Sequence, residues 1–343
     1  MKPYTTIILA ITLFNYCTLA IASNWESLPE TAPAPKDNPG TAEKVELGKM
    51  LFFDPRISST GTISCNSCHN VFLGGEDNRP FSAGVGAQLG GRSAPTVWNS
   101  AFSQVQFWDG RAGSLEEQAK GPVTNPIEMG MKSWDEVVAR LNQMPGYKIA
   151  FKKAFGNKSI ITADNAAKAI AAYERTLITP NSPFDQYVKG DKTTLTKNQV
   201  RGMELFAKVG CQSCHSGAAF NGQAVGASGF YAKFPIYRKN DYVSEYKFLE
   251  DGGRYQVSKK MSDKDMYKVP TLRNISLTAP YFHNGSVKTL KEAIKVMGQV
   301  QLNKSLSNSE VDDIHAFLMS LEGRFPHQQM PQLPGLNGGT FTP

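Results

Sequence analysis

The chain has 343 residues, with 37 lysines and arginines against 30 aspartates and glutamates, a net charge of +7. That length allows two modest domains with real cores. The mild basic excess contains no basic run and no stacking motif; it excludes a nucleic-acid partner and leaves a solvated surface able to steer an acidic redox protein.

Residues 1–22 read as a secretory signal peptide: Lys2, an apolar run through Ile7, Leu9, Ile11, Leu13 and Leu19, then the small-x-small ending Ala20-Ile21-Ala22. An uncleaved anchor competes with this, since the run approaches the length of a membrane span, but the ending favours cleavage. Cleavage removes Cys17 and leaves no stable membrane span, because no second apolar run follows. The expected location is the periplasm.

Residues 23–40 carry four prolines and read as an extended leader. A helix is expected from Thr41, turning Val45, Leu47 and Leu51 inward and ending before Asp54-Pro55. Its Gly48-Lys49-Met50-Leu51-Phe52 returns as Gly202-Met203-Glu204-Leu205-Phe206, and each copy precedes a Cys-x-x-Cys-His run. A glycine at that place lets a second helix cross closely, as the terminal helices of small cytochromes do.

The two runs are Cys65-Asn66-Ser67-Cys68-His69 and Cys211-Gln212-Ser213-Cys214-His215. Two thiols one helical turn apart can form thioethers to one porphyrin, with the adjacent imidazole over the iron, so the pattern calls for two covalently bound haem c groups. A redox Cys-x-x-Cys or half of a zinc site needs no histidine at that place, and no further cysteine outside the signal completes a zinc shell.

A glycine-rich loop follows His69, then an aromatic cluster of Trp98, Phe102, Phe107 and Trp108. Helices are expected from the caps Ser114, Ser133 and Thr162, the last running to about Leu177. Thr179-Pro180-Asn181-Ser182-Pro183 breaks the pattern and sets the expected boundary between domains 23–180 and 181–323. A helix from Thr196 leads into the second haem motif, and residues 216–265 read as polar and irregular. Thr289 caps a helix expected to stop at Gly298, and Ser307 caps the last, with Met319 placed on its apolar stripe. The tail, 324–343, is expected to lie extended over the N-terminal domain. Strand signals are sparse. The fold class is mainly α: two cytochrome c-like domains, each with one c-type haem.

The runs Gln106-Phe107-Trp108-Asp109-Gly110-Arg111, Glu117-Gln118-Ala119-Lys120-Gly121-Pro122, Val269-Pro270-Thr271-Leu272-Arg273-Asn274 and Pro280-Tyr281-Phe282-His283-Asn284-Gly285, with the first haem motif, resemble the bacterial di-haem cytochrome c peroxidases, whose fold MauG-type enzymes share. The resemblance implies a peroxidatic haem on His69 and an electron-relay haem on His215. It implies that a small periplasmic cytochrome c or cupredoxin feeds electrons to hydrogen peroxide, and that the enzyme is a homodimer. Met297 takes the place of the family's axial methionine, and its thioether gives a high potential. MauG-type enzymes have tyrosine there. Glu128 and Gln118 match the distal acid-base glutamate and its glutamine, Trp108 the tryptophan between the haems, and His283 and Arg273 residues near the relay haem, with Arg273 expected to pair with a propionate. Ser93, Thr278 and Pro280 match the oxygen donors of a calcium ion, with Ser93 where asparagine is common. Where many members carry a loop histidine that closes the peroxidatic haem at rest, this chain has Val85, and no other histidine lies between His69 and His215. An enzyme active without prior reduction is expected. Two other readings share these residues: a MauG-like oxidase modifying a partner protein, and a di-haem electron carrier without catalysis.

Overall fold

A computed structural model describes residues 25–156, 161–222 and 231–336. The signal segment and residues 337–343 lie outside the described residues. Six helices build the first half: α1 Ala42–Phe53, α2 Cys65–Cys68, α3 Leu115–Thr124, α4 Trp134–Asn142, α5 Pro145–Phe155 and α6 Ala163–Glu174. The second half contains α7 Pro183–Val188, α8 Lys197–Val209, α9 Asp241–Glu245, α10 Tyr255–Ser258, α11 Leu290–Leu302 and α12 Asn308–Met319. Two three-residue strands, β1 Tyr231–Lys233 and β2 Met266–Lys268, pair antiparallel with Ala232 opposite Tyr267.

Each half repeats one device. In the first, α1 crosses α6 so closely that a Cβ on Gly48 would stand 1.8 Å from the Ala169 carbonyl oxygen. In the second, α8 crosses α12 and a Cβ on Gly202 would stand 1.8 Å from the Asp313 carbonyl oxygen. No side chain fits at either point. Around the crossings lie two separate apolar cores, one of Leu47, Leu51, Phe52, Ile170 and Tyr173 with their neighbours, the other of Met203, Phe206, Ile294, Phe317 and Leu318 with theirs.

The caps follow the sequence. Thr41, Ser114, Ser133, Thr162, Thr196, Thr289 and Ser307 each accept a hydrogen bond from the backbone N–H three residues on. Three expectations change. Helix α11 runs through Gly298 and turns only at Asn303, whose φ is 51°; the glycine instead receives the returning chain, as Lys304 N–H bonds its carbonyl at 2.8 Å. Met319 is 39% exposed, because it ends α12 beyond the core. Residues 216–265 are not wholly irregular: among those described stand β1, α9 and α10. Two helices, α5 and α7, escaped notice, since each opens with proline at its first position, where the missing N–H is harmless.

The chain ends are exchanged between the halves. Trp25 packs on Phe184, Phe220 and Phe317 of the second core, so residues from 23 onward do not all belong with the first. In return, Phe325 stacks on Trp98 of the first half with ring centroids 4.3 Å apart. Further along this tail, the Pro334 carbonyl accepts from Arg56 at 2.7 Å.

Candidate active site

Among the described residues, two cavities are each walled by a different Cys-x-x-Cys-His run. The first, about 1160 Å³, holds Cys65, Cys68, His69, Gln118 and Glu128 on its wall. The second, about 260 Å³, holds Cys211, Cys214, His215 and Met297. Both histidines present themselves the same way. His69 Nδ1 donates to the Pro95 carbonyl at 3.0 Å and His215 Nδ1 to the Phe220 carbonyl at 3.1 Å. That bond fixes the tautomer and leaves Nε2 with a free lone pair, and burial holds each imidazole's pKa below its ordinary value.

All four of these cysteines are free and half-buried. Burial raises Cys68 to about 11 and Cys211 to about 12, and raises Cys65 further. Those three thiols are held protonated and are poor exchange nucleophiles. Nor does a metal cage compete: among the described residues no group of three or more His, Cys, Asp or Glu is arranged to hold an ion.

Over the first cavity the loop after His69 is docked. Gly84 lies so near the turn at 127–128 that a Cβ would come within 1.9 Å of the Ile127 carbonyl oxygen. Val85 donates its N–H to the Glu128 carbonyl at 2.9 Å, and its side chain is buried with Cγ2 directly against Gly130. Gly84 lines the cavity and Val85 does not. Glu128 comes from the turn following α3, where Asn125 Nδ2 donates to its Oε1 at 2.9 Å. Burial pushes its carboxyl above the ordinary range, and the Arg111 guanidinium opposes this. Gln118 stands one turn into α3 on the same wall.

Between the cavities stands Trp108, which lines both, held by its Nε1–H on the Ser93 carbonyl at 2.8 Å. His283 also lines both and stacks on Tyr267 at 4.6 Å; burial lowers it to about 4, so it is neutral. Arg92 ties the halves together through Asp109 at 2.6 Å and Asp251 at 2.5 Å.

A family described as di-haem cytochrome c peroxidase matches residues 42–193, and one described as RoxA-like, cytochrome c-like matches residues 266–298. Cytochrome c551 peroxidase of Pseudomonas aeruginosa is 44% identical over 321 residues, covering 93% of this chain and 90% of its own. The chain belongs to the bacterial di-haem cytochrome c peroxidase family. The peroxidase from Nitrosomonas europaea is 45% identical over 303 residues, covering 88% and 86%. A solved MauG-like protein associated with microbial copper homeostasis superposes with a TM-score of 0.74 at 30% identity, over 88% of this chain and 96% of that one. The protein is therefore an enzyme of the cytochrome-c peroxidase class, periplasmic, reducing peroxide with electrons from a partner. Among its described residues no helix is long and apolar enough to cross a membrane.

Ser93, Thr278 and Pro280 are all among the residues lining the second cavity. Beside them Asn78 Nδ2 reaches the Leu277 and Ala279 carbonyls, and its other partner is the buried Glu76, whose carboxyl burial raises to about 7.

Arg273 is fully buried; its guanidinium pairs with Asp185 at 2.8 Å and donates twice to the Ala218 carbonyl. It also donates to the Ser182 hydroxyl, tying the 182–185 turn to the chain after His215, and it is not among the residues lining the second cavity. Sequence reasoning missed Glu174 at the end of α6, which lines the first cavity with one carboxylate oxygen unpartnered; burial raises it to about 8. The available signal was an acid directly after the apolar Ala169–Tyr173 run.

Proposed function

We propose that the protein reduces hydrogen peroxide to two waters in the first cavity, with electrons from a small periplasmic redox protein entering at the second and passing Trp108. Two covalently bound haem c groups fit these residues: Cys65 and Cys68 would hold one and Cys211 and Cys214 the other, with His69 and His215 to bind the two irons and Met297 available to the second. Bound haem supplies the iron that takes peroxide in the first cavity and the iron that stores an electron in the second. A calcium ion, held by oxygens of Ser93, Thr278 and Pro280, completes the assembly; the buried Glu76 carboxylate nearby supports a cation there.

The side chains move the protons. The Glu128 carboxylate accepts a proton from the near oxygen of peroxide and returns it to the far oxygen, which leaves as water. Gln118 donates a hydrogen bond that holds the peroxide in line, and Asn125 keeps the carboxylate turned toward it. The near oxygen becomes the second water on taking two electrons and two protons.

The observation that carries this reading is the asymmetry of the walls: an acid and an amide line the cavity of His69, and the loop over that cavity keeps its valine buried and off the wall. With no ligand on the loop, the resting enzyme takes peroxide without prior reduction. Met297 on the second wall supports a peroxidase over a MauG-like oxidase.

Glu128→Gln tests the acid-base assignment. Peroxide turnover should fall roughly 10²–10⁴-fold, while the donor still reduces the second haem at its ordinary rate. Unchanged turnover would leave a plain electron carrier as the better reading.

A further inference from the structure

The second cavity is nearly without charge. Its wall is made of aliphatic and aromatic side chains, hydroxyls, two amides and two histidines, and it includes no carboxylate and one cation, Lys268. Both amides are engaged: Gln106 Nε2 donates to the Ser100 and Ser103 carbonyls, and Gln301 joins Ile236 N–H to the Lys233 carbonyl. Lys268 ends β2, and its backbone N–H donates to the Trp108 carbonyl at 2.7 Å, which fixes this residue where the two cavities adjoin. Its ammonium makes no hydrogen bond or ion pair among the described residues, and burial alone lowers its pKa to about 8.

Lys268 is half-buried, and a largely desolvated cation without a partner is costly unless something negative arrives to meet it. Haem carries two propionate carboxylates, which face the same cost in an apolar slot. The arginine expected to meet them is engaged by Asp185 instead. We propose that Lys268 is the positioning residue that neutralises a propionate of the haem in the second cavity and thereby raises that haem's reduction potential. The inference rests on the proposed haem at His215. A fixed positive charge beside the porphyrin favours the reduced iron, which has one positive charge fewer, so Lys268 adds to the effect of Met297 in making this site the electron store.

Lys268→Met and Lys268→Arg, prepared as holoprotein, test it. Alkaline pyridine spectra count the haems, and potentiometric titration followed optically gives the potential of each. Fewer than two haems in the unmutated protein would sink the underlying reading, separately from this one. With two haems present, Lys268→Met should lower the potential of the His215 haem by at least a tenfold change in its reduction equilibrium, 59 mV for one electron. Lys268→Arg should restore it, and the His69 haem should shift less. Loss of the second haem in Lys268→Met with full retention in Lys268→Arg also supports a charge role. An unchanged potential in Lys268→Met, or equal haem loss in both variants, overturns it.

Discussion

Glu128 and Val85 are joined by one backbone hydrogen bond, 2.9 Å from the Val85 N–H to the Glu128 carbonyl, so the loop also steadies the proposed acid-base group. The geometry fixes a sign. To accept a proton from peroxide Glu128 must be ionised, and burial raises its pKa while Arg111 lowers it. The rate of peroxide reaction should therefore fall on the acid side with an apparent pKa above the ordinary ~4.3 of a free glutamate. Removing the opposing charge in Arg111→Ala should move that limb to still higher pH. Stopped-flow rates against pH decide this; a limb that stays put in the variant would mean another group titrates. At this scale the sequence was read unevenly. His69, His215 and their cysteines announce themselves, because five adjacent residues contain the whole chemistry. The partner of Arg273 did not, since Asp185 is distant in the chain and reaches it only through the folded 182–185 turn.

Helices supply the precision the cavities need, and the two close crossings carry most of it. A methyl group at Gly202 would have to displace the Asp313 carbonyl, main chain that cannot swing aside. Gly202→Ala should destabilise the second half by roughly 1–3 kcal/mol, seen as a lower unfolding temperature with a loosened His215 haem. Gly48→Ala should do the same to the first half through Ala169. A variant as stable as the parent would show that α8 and α12 can slide apart. These crossings were legible because the Gly-x-x-Leu-Phe echo marks them twice. The caps at Thr41, Ser114, Thr196 and Ser307 were legible for a simpler reason: each is satisfied within one turn of its own chain. Pro145 and Pro183 misled because proline stops one helix and starts another with the same geometry. Gly298 misled because the glycine inside α11 answers to the returning chain at Lys304, a tertiary demand with no local mark.

Across the whole molecule the halves are built alike and do different work. Trp108 belongs to both cavity walls, and Arg92 and the exchanged ends, Trp25 in one core and Phe325 against the other, hold the halves in register around it. A fixed distance between the sites suits electron relay, and the contrast between sites supplies direction. The second cavity has the Met297 thioether on its wall along with His215, while the first has the Glu128 carboxyl and the Gln118 amide with His69, and Val85 of the loop is not on its wall. The most direct test of that contrast is the electron paramagnetic resonance spectrum of the fully oxidised holoprotein, taken with its stopped-flow reaction with peroxide. One high-spin and one low-spin ferric signal, with peroxide consumed without lag or pre-reduction, is the result predicted. Two low-spin signals, with a protein inert to peroxide until its second haem is reduced, would contradict it.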